Sequence, residues 1–305
     1  MRDVAITKGV QTVFVATDLS AAADEALRQG HERAQAGARL VVCHVVPRFA
    51  PIPGLSPEVD EPAPVQFLEF RHRISEEVVR RTVEVTGRDT ADFDVLLEEG
   101  NAYSSIVARA EECRADLLVV GSHGATGLAR VLLGSVADKV IRYAHCPVLI
   151  ARPSKQTRHI LVATDLSEPS FPAVAAAARE ARRTSAALTI LHCIETMTSI
   201  HSFEWGGMWP REKEHDVEHE QLRRKADSSL ADVLARYETT GERRVVAGSP
   251  AAAIVSVCDE IRPDLLVVGT RGRTGLRRVM LGSVAEAVSR LAPCSVLIVR
   301  LESQT

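Results

Sequence analysis

The sequence predicts two tandem α/β domains, each built on a parallel β-sheet that is covered by helices. Three observations predict this class. The chain has 305 residues, which is the length of about two ordinary domains. Its second half repeats its first half. Within each half, short apolar segments alternate with helix-forming segments, and this alternation is typical of a parallel sheet with helical crossovers.

The repeat is a duplication of a whole domain. Residues 101–152 and 249–300 align without a gap and share 29 of 52 residues. Two earlier segments repeat as well: VFVATDLS at 13–20 with ILVATDLS at 160–167, and LVVCHVV at 40–46 with LTILHCI at 188–194. Because the repeat distance is the size of a domain, the chain is a tandem duplication and not a solenoid. We expect one domain over residues 1–153 and another over 154–305.

The first half begins with a strand, a helix and a second strand. The segment 12–17 is apolar and β-branched, and Asp18 after it is of a residue type that caps helices. Residues 21–36 are mostly good helix formers, despite Gly30. Residues 38–46 contain a continuous apolar run, which predicts a strand that is buried on both faces.

A proline-rich segment then separates this strand from the rest of the first half. The charged stretch that follows has the composition of a helix, and two strand–helix pairs and a final apolar strand come after it. The expected elements are a helix over 66–86, a strand over 93–100, a helix over 104–115, a strand over 116–122, a helix over 135–144 and a strand over 146–152. The second half repeats this scheme, with a different insertion at 195–212.

Composition excludes several classes of protein. The formal net charge is −3 and the sequence pI is about 6.4, so the chain carries no overall basic charge for nucleic acid or anionic membranes. No apolar run reaches the roughly 18 residues of a membrane helix. The six cysteines are scattered and lack the spacing of a zinc site. We therefore expect a cytoplasmic protein with reduced thiols and with no membrane or nucleic-acid partner.

A glycine pattern recurs near the end of each half. Gly121, Gly124, Gly134 and Ser135 have the spacing G-x2-G-x9-G-S, and their twins are Gly269, Gly272, Gly282 and Ser283. The last two residues of each set open a helix, whose free backbone N–H groups and positive dipole end suit a phosphate. The glycines also fit tight turns between a strand and a helix, and the spacing alone does not decide between these interpretations. The pattern is neither a Walker loop nor a dinucleotide fingerprint.

The glycine pattern, the ATDLS that follows the first strand of each half, and the final CPVLI strand together resemble the universal stress protein family. The resemblance covers nearly the whole chain, as two consecutive domains of that family. It implies that each domain is doubly wound, with a five-stranded parallel sheet in the order 3-2-1-4-5 and helices on both faces. It also implies ATP binding, because both halves keep the glycine loop.

The resemblance further implies which residues would contact ATP, beside the strand ends where open α/β sheets bind ligands. In the first domain they are Ala16, Thr17, Asp18, Val45, Gly121, Gly124, Gly134, Ser135 and Val136. In the second they are Ala163, Thr164, Asp165, Cys193, Gly269, Gly272, Gly282, Ser283 and Val284. Cys193 takes the place of Val45 and is also small and apolar. Asp18 and Asp165 equally fit a capping role, which is compatible with ligand contact.

The expected function is that of an ATP-binding module for stress adaptation or signalling, with one ATP, carried with Mg²⁺, in each domain. A slow ATPase and a nucleotide-free interaction scaffold are the alternatives. We identify no catalytic set and no metal-ligand cluster in the sequence. The final strands are apolar and would lie at sheet edges, which pair readily. We therefore expect the two halves to pair within the chain, and two chains to form a homodimer that acts on an unknown protein partner.

Overall fold

The computed structural model of the chain describes residues 10–34, 37–48, 65–123, 133–154, 157–195, 212–270 and 281–300. The chain folds into two compact units, with the break between Pro153 and Ser154. Each unit is an α/β domain with a parallel sheet, which confirms the predicted fold class. In the described part of the chain, no helix combines the length and the apolar character needed to cross a membrane.

The first domain alternates strands and helices along its whole length. Its elements are β1 (Thr12–Thr17), α1 (Ala21–Arg33), β2 (Arg39–Val46), α2 (Val65–Thr86), β3 (Asp94–Glu99), α3 (Ala102–Glu112), β4 (Leu117–Gly121), α4 (Ser135–Tyr143) and β5 (Val148–Ala151). The strands are parallel and lie in the order β3-β2-β1-β4-β5. In the register of the central strands, Phe14 lies between Val41 and Leu118, and all three are fully buried.

The second domain repeats this architecture. Its elements are β6 (His159–Ala163), α5 (Phe171–Thr184), β7 (Ala187–Ile194), α6 (Glu212–Arg236), β8 (Glu242–Ala247), α7 (Pro250–Ile261), β9 (Leu265–Gly269), α8 (Ser283–Leu291) and β10 (Ser295–Val299). The strands are parallel in the order β8-β7-β6-β9-β10. A 3₁₀ turn over Glu168–Ser170 precedes α5, whereas α1 of the first domain starts directly after Ser20.

Helices cover both faces of each sheet. In the first domain α1 packs with α2 and α3 packs with α4, and in the second α7 packs with α8. Right-handed crossovers place the helices of successive connections on one face as long as the chain winds in one direction, and on the other face after it reverses. The sheets are therefore buried on both sides, which explains the continuously apolar strands.

The predicted boundaries of two helices are wrong by a few residues, for local reasons. The helix expected over 21–36 ends at Arg33, shortly before Gly37, which has a φ of +86°. The helix expected over 104–115 begins at Ala102, because the side chain of Asn101 caps it. It ends at Glu112, and Arg114 takes the left-handed conformation with a φ of +52°. Capping geometry of this kind sets helix ends more sharply than residue propensity does.

Candidate functional site

The candidate site of each domain lies where the direction of winding reverses. In the first domain the chain leaves β1 toward β2 on one side, and β4 enters on the other side. In the second domain β6 and β9 hold the same positions. The connections that follow these two strands depart in opposite directions, which leaves a crevice outside their carboxyl ends. The predicted Thr–Asp pair and the start of the glycine pattern lie at the carboxyl ends of these strands.

In the first domain a tight hydrogen-bonded turn follows β1. The Thr17 hydroxyl oxygen accepts the N–H of Leu19 at 3.1 Å, and an Asp18 carboxylate oxygen accepts the N–H of Ser20 at 3.1 Å. The Ser20 hydroxyl oxygen in turn accepts the N–H of Ala23 and caps α1. Leu19 is left-handed, with a φ of +64°. Capping of α1 thus belongs to Ser20, while Asp18 shapes the turn before it and is exposed.

The second domain builds the same turn with one more hydroxyl group. Thr164 accepts the N–H of Leu166 at 3.0 Å and hydrogen-bonds to the Ser170 hydroxyl at 2.7 Å. Asp165 accepts both the N–H and the hydroxyl of Ser167, at 3.0 and 2.6 Å. Leu166 is left-handed, with a φ of +63°. Such a conformation is costly for a leucine and is retained where the surroundings over-determine it.

The glycine that ends each loop is the N-cap of the last helix. Gly134 caps α4 and Gly282 caps α8, and neither helix start has a side-chain capping bond among the described residues. The cap N–H groups donate to the carbonyl oxygens of Ser122, at 2.8 Å, and of Thr270, at 3.0 Å. The N–H groups of the following turn have no intrahelical acceptor, since the first turn of any helix lacks one. These donors suit an anion.

An acid–base pair stands in the first two turns of both helices. Asp138 pairs with Arg142 at 3.2 Å in α4, and Glu286 pairs with Arg290 at 3.2 Å in α8. The positions match at the repeat distance of 148 residues. Because each carboxylate is neutralised by its arginine one turn on, it opposes an anion at the helix start less than an unpaired acid would.

A cavity of about 760 Å³ opens at the switch point of the second domain. This volume is in the range of small-molecule sites. All eight predicted residues that the structure describes in this domain line it: Ala163, Thr164, Asp165, Cys193, Gly269, Gly282, Ser283 and Val284. The ninth, Gly272, lies outside the described residues. Tertiary structure therefore brings together residues that are up to 121 positions apart, from Ala163 to Val284.

The first domain places its predicted residues on the same elements. Ala16 and Thr17 are buried at the end of β1, and Val45 is half-buried near the end of β2. The remaining described residues are Asp18 directly after β1, Gly121 at the end of β4, and Gly134, Ser135 and Val136 at the start of α4. Gly124 lies outside the described residues.

Packing gives Gly121 a role of its own. A Cβ atom at this position would lie 2.8 Å from the carbonyl oxygen of Ala22 in α1. The requirement for glycine here therefore comes from the close approach of helix and strand, and it does not decide between the two interpretations of the glycine spacing. At Gly282 a Cβ atom would lie 3.0 Å from the Thr270 carbonyl oxygen, so the loop is tight there as well.

Sequence reasoning missed two histidines. Nδ1 of His44 lies 2.8 Å from the carbonyl oxygen of Thr17, and Nδ1 of His192 lies 2.9 Å from that of Thr164. Because a carbonyl oxygen only accepts, each Nδ1 carries the proton in these bonds. His192 also lines the cavity. The signal was present in the sequence, since a histidine stands at the matching position of each second strand.

Sequence reasoning also missed the wall formed by α6. Leu222, Lys225, Ala226 and Ser229 of this helix line the second-domain cavity. Their spacing of three and four residues places them on one helix face. Helical periodicity could have shown that they share a face, but not that this face borders the strand ends.

Cys193 contributes a neutral contact to the cavity. Burial, together with the charge of Glu195, raises the pKa of the Cys193 thiol to about 11. The thiol is therefore protonated at neutral pH and resembles a small apolar side chain, in agreement with its exchange for Val45 in the first domain. All six cysteines of the chain are free thiols.

The described lining of the second-domain cavity carries few charges. Its described lining holds the carboxylates of Asp165 and Glu195 and the ammonium of Lys225. Among the residues that the structure describes, no group of three or more histidine, cysteine or acidic side chains is arranged to hold a metal ion. The arrangement combines an apolar wall, a carboxylate and a row of backbone donors, which suits a ligand with an apolar ring, hydroxyl groups and an anionic end.

A sequence model of the universal stress protein family matches residues 9–152 and again residues 156–300. Universal stress protein Rv2623 of Mycobacterium tuberculosis is 35% identical over 196 residues, which are 60% of this chain and 61% of that protein. The chain thus matches about three fifths of the length of this curated relative.

One solved structure has the same fold over almost the whole chain. A universal stress protein of Archaeoglobus fulgidus superposes with a TM-score of 0.65 at 19% identity, and the match covers 97% of this chain and all of that one. A universal stress protein solved in complex with cAMP is 30% identical, covers 48% of this chain and all of its own, and has a TM-score of 0.34.

Proposed function

The chain belongs to the universal stress protein family, and we propose that it binds one ATP in each of its two domains, residues 1–153 and 154–305. The occupancy of these sites would bias its conformation or a partner surface in stress adaptation or signalling. One observation carries the proposal: the predicted residues of the second domain that the structure describes converge on one cavity at the switch point.

The phosphate end of ATP is assigned to the start of the last helix. The N–H groups of Ser283 and Val284 open α8 without a side-chain cap in the described structure, and Ser283 adds a hydroxyl donor. The helix dipole favours a negative group at this end. Mg²⁺ would enter with the phosphates as their counter-ion. The start of α4, with Ser135 and Val136, takes the same role in the first domain.

The nucleoside end is assigned to the opposite side of the cavity. Cys193 and Ile194 at the end of β7, with Ile254 of α7, offer apolar contacts to a base. Asp165 offers carboxylate oxygens to an amino or hydroxyl group of the nucleoside. These two assignments use both the apolar and the polar walls of the cavity, which is why a nucleotide fits it better than a free phosphate does.

Cellular context and assembly are part of the same proposal. Six free thiols suit a reducing compartment, so we place the protein in the cytoplasm. We also propose pairing of the two domains within the chain, with further assembly into a homodimer. Sedimentation equilibrium of the full chain tests the dimer, which a single species of 33.1 kDa at all concentrations would contradict.

The decisive measurement is the nucleotide that the protein carries from cells. The full chain is purified without added nucleotide and denatured, and the released nucleotides are identified and counted per chain. Two equivalents of ATP are expected. One equivalent would indicate unequal domains, and ADP alone would favour the slow ATPase. No released nucleotide, together with no heat on titration with ATP and Mg²⁺ or with cAMP, would overturn the proposal and leave an interaction scaffold.

A further inference from the structure

The second-domain cavity has a lysine on the wall that α6 forms. Lys225 lies on the face of α6 that borders the cavity, one turn from Leu222 and from Ser229. Leu222 is 46% exposed although it is large and apolar, so this face of α6 is open toward the cavity. A cation on such a face is available to a ligand.

Lys225 forms no ion pair and no side-chain hydrogen bond with any residue that the structure describes. Its neighbour Arg224 differs in this respect, because it pairs with Glu220 at 2.9 Å on the same helix. Of the two carboxylates in the described lining, Asp165 already accepts two bonds from Ser167. Among the lining residues that the structure describes, the Lys225 ammonium is therefore the cation whose donors remain for a bound molecule.

The location of α6 decides which part of a nucleotide this ammonium would meet. α6 packs on β7 and β8, whereas α8, whose start is assigned to the phosphates, follows β9. β7 and β9 are separated by β6, so they lie about 10 Å apart in the sheet. Lys225 accordingly stands on the nucleoside side of the cavity, on the helix that packs against β7 and β8.

The first domain holds an acid at the matching position. At the repeat distance of 148 residues, Lys225 corresponds to Glu77 of α2. Burial supports this correspondence. The residues that follow along the chain, Val78 and Ala226, also match at this distance, and both are buried. Glu77 accepts from Arg80 on its own helix, at 2.9 Å, and this bond lowers the pKa of its carboxyl. The two domains thus differ in charge at one wall position.

We propose that Lys225 is a specificity-determining residue of the second site, where its ammonium donates to the ribose or the base of the bound nucleotide. The inference rests on the nucleotide site proposed above. It predicts that the second domain binds adenine nucleotides more tightly than the first, because the first offers a carboxylate where the second offers a donor. It also predicts that the contribution of Lys225 is independent of the number of phosphates.

The test uses the full chain with two substitutions of equal charge change. Lys225→Met removes the ammonium and keeps a good helix former on an exposed position, so the fold is retained. Arg224→Met is the matched control, since it removes one positive charge at the adjacent position, outside the cavity lining. ATP and AMP are titrated calorimetrically into the wild type and both variants, and the wild-type titration shows directly whether the nucleotide sites exist.

The expected result is a loss of about five- to tenfold in affinity at one site per chain in Lys225→Met, as for a partly exposed hydrogen bond from a charged donor. The loss should be the same for ATP and AMP, absent in Arg224→Met, and recovered in part by Lys225→Arg. A larger loss for ATP than for AMP would place the ammonium at the phosphates and overturn the inference. Equal affinities in wild type and Lys225→Met would overturn it too, whereas a wild type that binds neither nucleotide would refute the proposed function itself.

Discussion

His192 donates from Nδ1 to the carbonyl oxygen of Thr164, at 2.9 Å, and so ties the second strand of its domain to the end of the first strand at the edge of the cavity. The residue is 6% exposed, so the bond is shielded from water. The same bond joins His44 to Thr17 in the first domain, at 2.8 Å. Its repetition indicates that the position of the Thr–Asp turn depends on the imidazole.

We predict that His192→Leu destabilises the protein by about 1–3 kcal/mol, because it leaves the buried Thr164 carbonyl oxygen without a donor. His192→Asn should cost less, since its side-chain amide can replace the Nδ1–H group. Chemical denaturation measures the free energy of unfolding. Titration with ATP measures the affinity, which should fall if the Thr–Asp turn moves. If Leu and Asn behave alike in both measurements, the hydrogen bond does not have this role.

A proline at the first position of α8 should weaken phosphate binding without destabilising the fold. We predict that Ser283→Pro leaves the free energy of unfolding within about 0.5 kcal/mol of the wild type, because proline suits the first helical position. Gly282 already has a φ of −64° and a ψ of 147°, the conformation required before a proline. α7 of the same domain starts with Pro250 at this position.

The same variant should weaken ATP binding at one site per chain by about tenfold or more, because it deletes one N–H donor to a charged group. Calorimetric titration of the full chain gives this loss. Ser283→Ala is the control, since it removes the hydroxyl but keeps the N–H, and its loss should be smaller. Undiminished affinity in Ser283→Pro would show that the phosphates lie elsewhere.

Cys193 reports on the cavity through its reactivity. With its pKa raised to about 11 by burial, little thiolate is present at pH 8, so alkylation by iodoacetamide should be slow there. The rate should rise about tenfold for each pH unit between pH 8 and 10, since the thiolate fraction grows by that factor below the pKa. Peptide mass mapping follows each cysteine separately.

ATP should slow the alkylation of Cys193 and leave that of Cys113 unchanged, because both thiols are half-buried but only Cys193 lines the described cavity. Cys43, which is fully buried and has a pKa raised to about 12, should stay unmodified in the folded protein. Equal rates for Cys193 with and without saturating ATP would argue against a nucleotide beside β7.

Gly30 is predicted to be required despite its position inside α1. A Cβ atom there would lie 2.4 Å from Cγ2 of Val15 in β1. Alanine favours a helix by about 1 kcal/mol over glycine, but overpacking costs about 1–3 kcal/mol, so Gly30→Ala should destabilise the first domain. The second domain has Ala177 at the matching position and packs it without exposure.

The double variant Gly30→Ala, Val15→Ala distinguishes overpacking from other causes. It removes the methyl group that collides, so its free energy of unfolding should exceed the value expected from the sum of the two separate losses. Additive losses, measured by chemical denaturation, would show that the contact of α1 with β1 is not limiting.

The sequence by itself determined the fold class and the duplication. Continuous apolar strands such as Leu40–Cys43 can only be buried on both faces, and this condition leads to a parallel sheet between helices. The glycine spacing and the ATDLS segments located the Thr–Asp turn and the loop in both halves. These features are local, so they are readable from residues that are neighbours along the chain.

Tertiary structure alone decided what surrounds the site. The repeat marks His192 by its twin His44, but the roles of His192 and Lys225 depend on where β7 and α6 lie relative to β6 and β9. Packing also assigned Gly121 to the approach of Ala22, which the spacing did not show. Local patterns specify each element, but the reversal of winding between non-consecutive strands is a long-range property, and that reversal creates the cavity.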